Sequence, residues 1–326
     1  MRTSNGVGYP DAVGYAFDVV LFTASNVERM MIEMSLGNDI LATVEQDAFN
    51  GECYMDMRDY VQGIMSDVVS AAVSYASAAE SGMSWRVFYS VYTKTGGQAY
   101  TRVVADAYPT FIWGALSKGE SIDKARNLTW WRGYPFCIDY LSTGNAVTLS
   151  GGGSTDSITL PEGLGRIPLS GFSNASVVTL RRGNVTDTIG IVDCGEGVYL
   201  RWIDRKGMVC HWLFAKGIVS HEVSDDGEYR RNNLLSYDGQ GWHGMNGTGG
   251  IKSRRKAMKV AALQVDADIR AMMMDMASSP VVEMYDEDAD AWSAVRVSGG
   301  TWNESRAVLQ DVEFDVVVDE IKLQRA

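Results

Sequence analysis

The chain has 326 residues, of which 29 are basic and 41 acidic, giving a formal net charge of −12. An acidity of that size excludes a nucleic-acid backbone or an anionic membrane as the main partner, because both are bound through basic surface. The length suits two domains of ordinary size, which bury on the order of 70% of their unfolded surface and need no staples.

Taken in chain order, residues 16–23 (AFDVVLFT), 28–36 (ERMMIEMSL) and 39–45 (DILATVE) read as strands, with turns at 24–26 and 37–38. Residues 52–56 make a further strand. Residues 58–65 (RDYVQGIM) carry Val61, Ile64 and Met65 at the spacing of a short helix lying on a sheet, with Asp56 as its cap. The Ala-, Ser- and Val-rich run 68–79 reads equally as helix or strand. Residues 85–94 and 98–107 form a hairpin about Gly96-Gly97, and the segments around Trp113 and 126–140 close this half.

Residues 143–171 change in composition to STGN, SGGGSTDS and PEGLG, which predicts a linker or loop between domains 1–142 and 172–326. Beyond it, 175–180, 186–192 and 217–223 read as strands, and 228–250, polar and Gly-rich, as a long excursion out of the sheet. A strand at 257–265 is followed by a helix to about Ala277, capped by Asp266 or Asp268 and closed by Pro280. Strands at 281–285, 292–297 and 308–318 finish the chain. Each half repeats one plan of strands, a short helix and more strands. The expected fold is mainly β: two β-sandwich-like domains of antiparallel hairpins, each with a short helix.

The densest aromatic stretch is 198–214, VYLRWIDRKGMVCHWLF. If Asp204 pairs with Met208, the connection is a three-residue loop with Gly207 left-handed. Val198, Leu200, Trp202, Cys210, Trp212 and Phe214 then share an apolar face. Tyr199, Arg201, Ile203, Val209, His211 and Leu213 share a mixed one, available to an edge or interface.

Sites for chemistry are few. No GxSxG elbow, P-loop, HExxH or strand-linked GxGxxG is present, and the three histidines are His211, His221 and His243. His211 reads as a packed ring, while Trp242 and His243, in a Gly-rich loop, are candidates for contact with a ligand or another chain. Asp286, Asp288 and Asp290 match the start of a calcium loop, but Ala291 and Val297 stand where its glycine and closing glutamate belong, so a solvated turn is expected. Lys252, Arg254, Arg255, Lys256 and Lys259 form the one positive cluster; without interleaved aromatics it suits a salt bridge to an acidic neighbour better than a nucleic acid. Trp130, Trp131, Trp202, Trp212 and Trp242 are mostly core, with one or two at an interface. Cys53, Cys137, Cys194 and Cys210 lack CxxC spacing and read as reduced thiols, a Cys194–Cys210 bond remaining open. No secretory signal, transmembrane span, cofactor site or metal site is expected.

The run Cys194 to Trp202 (CGEGVYLRW) with its return strand Trp212-Leu213-Phe214 resembles a hairpin of bacteriophage tail structural proteins of the distal-tail or baseplate type. The ending is similar as well: 279–285, 292–297 and 308–316 make a short-loop hairpin and a last long strand. The likeness spans roughly 190–320. It implies a non-enzymatic subunit, made in the host cytoplasm and located in the virion. Such a subunit forms a homo-oligomeric ring, meets other tail proteins and joins tail tube to adhesion apparatus. Tyr199, Arg201, His211, Trp242, His243, Arg254 and Arg255 are the candidate contact residues. The alternative is a carbohydrate- or receptor-binding adhesin with Trp130, Trp131 and Trp242 as platforms.

Overall fold

A computed structural model describes residues 2–3, 11–13, 21–56, 60, 63, 75–107, 110–114, 122, 124–193, 195–232, 236–237, 242–243, 246–298, 302 and 307–322. Of these, residues 2–3, 11–13, 21–23, 56, 103–107, 110, 224–232, 236–237, 242–243, 246–253 and 319–322 are described by backbone alone. Of the helix expected at 58–65, Tyr60 and Gly63 are described and both are helical; its other residues and most of the ambiguous run 68–79 lie outside the described residues.

The fold is mainly β and largely antiparallel. Two compact units emerge: Met1–Cys194 with Trp202–Trp212, and Gly195–Arg201 with Leu213–Ala326. The expected boundary at 143–171 is therefore displaced. That segment is not a linker, because it holds the strands Ala146–Gly151, Ser154–Thr159 and Gly163–Pro168. Its glycines are turn chemistry. Gly152 and Gly153 take φ of 57° and 83°, the two consecutive positive values that a two-residue primed hairpin turn demands, and they set Gly151 opposite Ser154.

In the first unit, the alternating run Arg29–Leu36 buries Met30, Ile32 and Met34 at the centre of a four-stranded sheet ordered Thr101–Ala107, Phe88–Lys94, Arg29–Leu36, Asp39–Asp47. A second core forms between two sheets. Val147, Leu149, Val178, Leu180 and Ile189 come from a five-stranded sheet, and Ile138, Tyr140 and Ile167 from a three-stranded one. Period-2 patterning gives each sheet one apolar face, and the shared core buries both.

The second unit departs from the sandwich expected for 172–326. Six strands, Val198–Ile203, Val209–Asn232, Asn246–Val265, Gln310–Lys322, Ala291–Val297 and Val282–Asp286, follow one another around a closed barrel. Closure removes exposed edges where it is complete. Phe214 and Phe314 meet edge to face, ring centroids 6.2 Å apart, in a buried core with Val260, Val312 and Val316. The helix Ala267–Ser278 starts as expected: Asp266 accepts the Ile269 N–H at 2.9 Å, and the helix buries Met273 and Met276.

Candidate functional site

The hairpin at 198–214 folds in the expected register. The Asp204 N–H donates to the Met208 carbonyl at 2.8 Å, and Gly207 takes φ 74°. Asp204 fixes the loop by accepting the Lys206 and Met208 N–H groups at one carboxylate oxygen, both at 2.8 Å. Burial pushes this carboxyl above its ordinary value, against the pull of those two N–H bonds and of Lys206. A β-carbon on Gly207 would lie 2.1 Å from the Trp113 carbonyl, so the loop admits no larger residue there.

The expected division into an apolar and a mixed face fails, since all of Val198–Ile203 is buried on both sides. The hairpin is divided between the units, Trp202–Trp212 belonging to the first and Gly195–Arg201 to the second. Consequently the three residues assigned to the mixed face separate.

In the second unit, the Arg201 guanidinium donates to Glu283 at 2.5 Å and lies 4.1 Å from the centre of the Trp292 ring. Tyr199 and Tyr285 complete the cluster, their ring centroids 5.7 and 5.2 Å from Trp292. Tyr285 donates to Asp290 at 2.7 Å; that bond, with some burial, pushes its hydroxyl up to about 12.

His211 is buried in the first unit, with Nε2 3.0 Å from the Tyr75 hydroxyl and its ring against Phe136. Trp130 stacks on Phe136, and Trp131 meets Trp212 edge-on at 4.7 Å. Both are buried, so Trp130 and Trp131 are not sugar platforms.

Around the hairpin tip lies an ionic network that the sequence reading missed. Asp139 receives both forks of Arg166 at 2.7 and 2.8 Å and also accepts the Val209 N–H at 2.9 Å. Arg126 donates to Asp187 at 2.9 Å and to the Asp139 carbonyl at 2.6 Å, while Arg182 donates to the same Asp187. Burial alone would raise the Asp187 carboxyl, yet the Arg126 and Arg182 cations hold it below its ordinary value. Apart from Arg182 and Asp187, five positions apart, the bonded residues lie 13 to 70 positions apart in sequence and form no local motif.

The expected excursion at 228–250 is instead an arm. Strands Val209–Asn232 and Asn246–Val265, 24 and 20 residues long, stay paired from Ala215↔Ala261 to Asn232↔Asn246. Beyond them Ser236–Tyr237 pairs with Trp242–His243, setting Tyr237 opposite Trp242. The strand Val198–Ile203 is too short to follow far past Phe214. From Ala215 on, the outer edge of the long strand therefore has no neighbour among the described residues. Ala215 to Val223 are all exposed, Ile218 at 76% and Val223 at 59%.

The basic cluster sits inside this sheet. Glu222 is opposite Arg255 and Asp225 opposite Lys252 on one side; Glu320, Asp319 and Asp315 are opposite Arg255, Lys256 and Lys259 on the other. Arg254 lies 3.2 Å from Nδ1 of His221, and Arg255 donates to Ser298 at 2.9 Å. The register thus places acidic residues opposite this basic cluster on both neighbouring strands.

Residues 286–290 form the expected turn, with the Asp286 carboxylate accepting the Asp288 and Ala289 N–H groups. Among the described residues no group of three or more His, Cys, Asp or Glu is disposed to hold a metal ion, and no helix is long and apolar enough to cross a membrane. Cys53, Cys137 and Cys210 form no disulfide with one another, and Cys194 lies outside the described residues.

A scan of protein-family models found no match to the chain, and a search of the curated proteins found none either.

Proposed function

We propose that this chain is a non-enzymatic structural subunit of a bacteriophage tail, of the distal-tail or baseplate type, which assembles with copies of itself into a ring and with other tail proteins in the virion. One observation carries the assembly part of the reading: the edge of Val209–Asn232 that runs past the barrel, exposed and bearing Ile218 and Val223. A long uncovered strand edge with apolar side chains invites pairing, so a chain that keeps one needs another chain to cover it. The tail assignment itself rests on the likeness of the hairpin at 198–214 and of the closing strands. In this reading the two sheets sharing the Tyr140 and Leu180 core are the sandwich-like module, and the barrel with its arm is the ring-forming one.

Negative-stain imaging of the purified chain at micromolar concentration tests it. Rings of defined size are expected. A chain that stays monomeric as concentration rises contradicts it. A second reading, a glycan-binding adhesin, draws on Trp242 opposite Tyr237 at the end of the arm. Glycan binding that disappears with Trp242→Ala, in a monomeric chain, decides for that reading.

A further inference from the structure

We infer that the outer edge of Gly227–Arg231 pairs antiparallel with the same edge of a second copy of this chain, about a two-fold axis at Tyr229. The long strand is interrupted by register shifts between Lys216 and Val219 and between Asp225 and Gly227, and runs regularly from Gly227 to Asn232. In that stretch the partner strand sets glycine opposite half the positions and no charge opposite any: Glu228, Tyr229 and Arg231 stand opposite Gly250, Gly249 and Gly247, and Arg230 opposite Thr248. Cross-strand pairs are worth roughly 0.2–1 kcal/mol each, and glycine makes none. Nearer the barrel, by contrast, Glu222 and Asp225 have Arg255 and Lys252 opposite. At the far end of the arm the register sets no opposite charge across from Glu228, Arg230 or Arg231.

The sequence Gly-Glu-Tyr-Arg-Arg is self-complementary in that geometry. Antiparallel pairing centred on residue 229 sets Glu228 opposite Arg230 twice, Gly227 opposite Arg231 twice and Tyr229 opposite itself, with no like charges facing. Shifting the centre to 228 places two Glu228 carboxylates together and draws the irregular Asp226 into the ladder. The contact is isologous, the same surface from both copies, and yields a four-stranded sheet. It does not rest on the tail reading: a free dimer satisfies it, and in a ring it adds two-fold axes relating pairs of copies.

Directly opposed residues have Cα atoms about 4.5–5.5 Å apart, within disulfide reach. Tyr229→Cys should therefore give a disulfide-linked dimer on mild oxidation at micromolar concentration. Asn232→Cys, which the same register holds about 20 Å from its counterpart, and the unsubstituted chain should not. Glu228→Arg should raise the dimer Kd about tenfold, equivalent to about 1.4 kcal/mol, and Glu228→Arg with Arg230→Glu should restore it, circular dichroism reporting an unchanged fold throughout. A chain that oligomerises without the Tyr229→Cys cross-link, or a double reversal that fails to restore association, overturns the inference and leaves the ring untouched. Cross-linking without rings upholds it and removes the ring.

Discussion

The two ends of the strand Val209–Asn232 use charge in opposite ways. At its start, the Val209 N–H is held by Asp139, whose carboxylate is fully buried and forked by Arg166. Farther along, Glu222 and Asp225 stand opposite Arg255 and Lys252 in a ladder, Glu222 open to solvent and Arg255 half-buried. Buried, bidentate pairs cannot lose one partner without leaving an uncompensated charge, whereas exposed cross-strand pairs exchange partners with water cheaply. The first arrangement fixes one structure. The second keeps a surface soluble while leaving an edge available.

Four substitutions or conditions break or sharpen that contrast, in descending order of effect. Arg166→Met alone should cost about 3–5 kcal/mol, read from urea unfolding, because Asp139 is left buried and unpaired. Adding Asp139→Leu should recover much of it, leaving a residual of about 1–3 kcal/mol for the Val209 N–H that loses its acceptor. Gly207→Ala should cost on the order of 3 kcal/mol, since an alanine must take a positive φ and its β-carbon meets the Trp113 carbonyl. Calorimetry on the variant checks it, and an unchanged Tm would show that the tip is not held where the network puts it.

Acid is the third. The Asp187 carboxyl has a lowered pKa when folded, so its stabilisation is present above the unfolded value, about 3.9, and is lost as pH falls through the folded one. Asp187→Asn should be less stable near neutrality and show a flatter decline between about pH 4 and pH 2, measured by denaturant titration at each pH. Asp204, with a raised pKa, works in the opposite sense, its contribution improving as pH falls through that value. Last, Glu222→Lys puts like charges opposite each other on the arm and should change stability by only about 0.2–1 kcal/mol in the same urea assay. A loss as large as that of Arg166→Met would mean the arm is part of the core.

Much of the local structure was legible because its causes are local. Asp204, Gly207 and Met208 fix a hairpin by turn chemistry, and Asp266 caps its helix through one N–H three residues on. Alternation found Arg29–Leu36 for the same reason. What the sequence hid is non-local. The glycines of 143–171 were read as a linker, although Gly152-Gly153 is itself a hairpin turn; composition was weighed and pairing was not. Barrel closure depends on Val282–Asp286 meeting strands far from it along the chain, which no window contains. Arg254 and Arg255 read as an isolated basic patch because Asp315, Asp319 and Glu320, which the register sets on the neighbouring strand, stand some 60 residues away in sequence. Strand parity groups Tyr199, Arg201 and His211 on one face, and parity says nothing about a strand, Val198–Ile203, that is buried along its whole length.

The most direct measurement is sedimentation of the whole chain beside a variant in which residues 225–252 are replaced by a two-residue Asn-Gly turn, joining the strands where the third strand of the ladder ends at Ser253. The arm as an assembly element predicts that the whole chain sediments as an oligomer and the variant as a folded monomer with nearly the same Tm. Equal sedimentation of the two would contradict it.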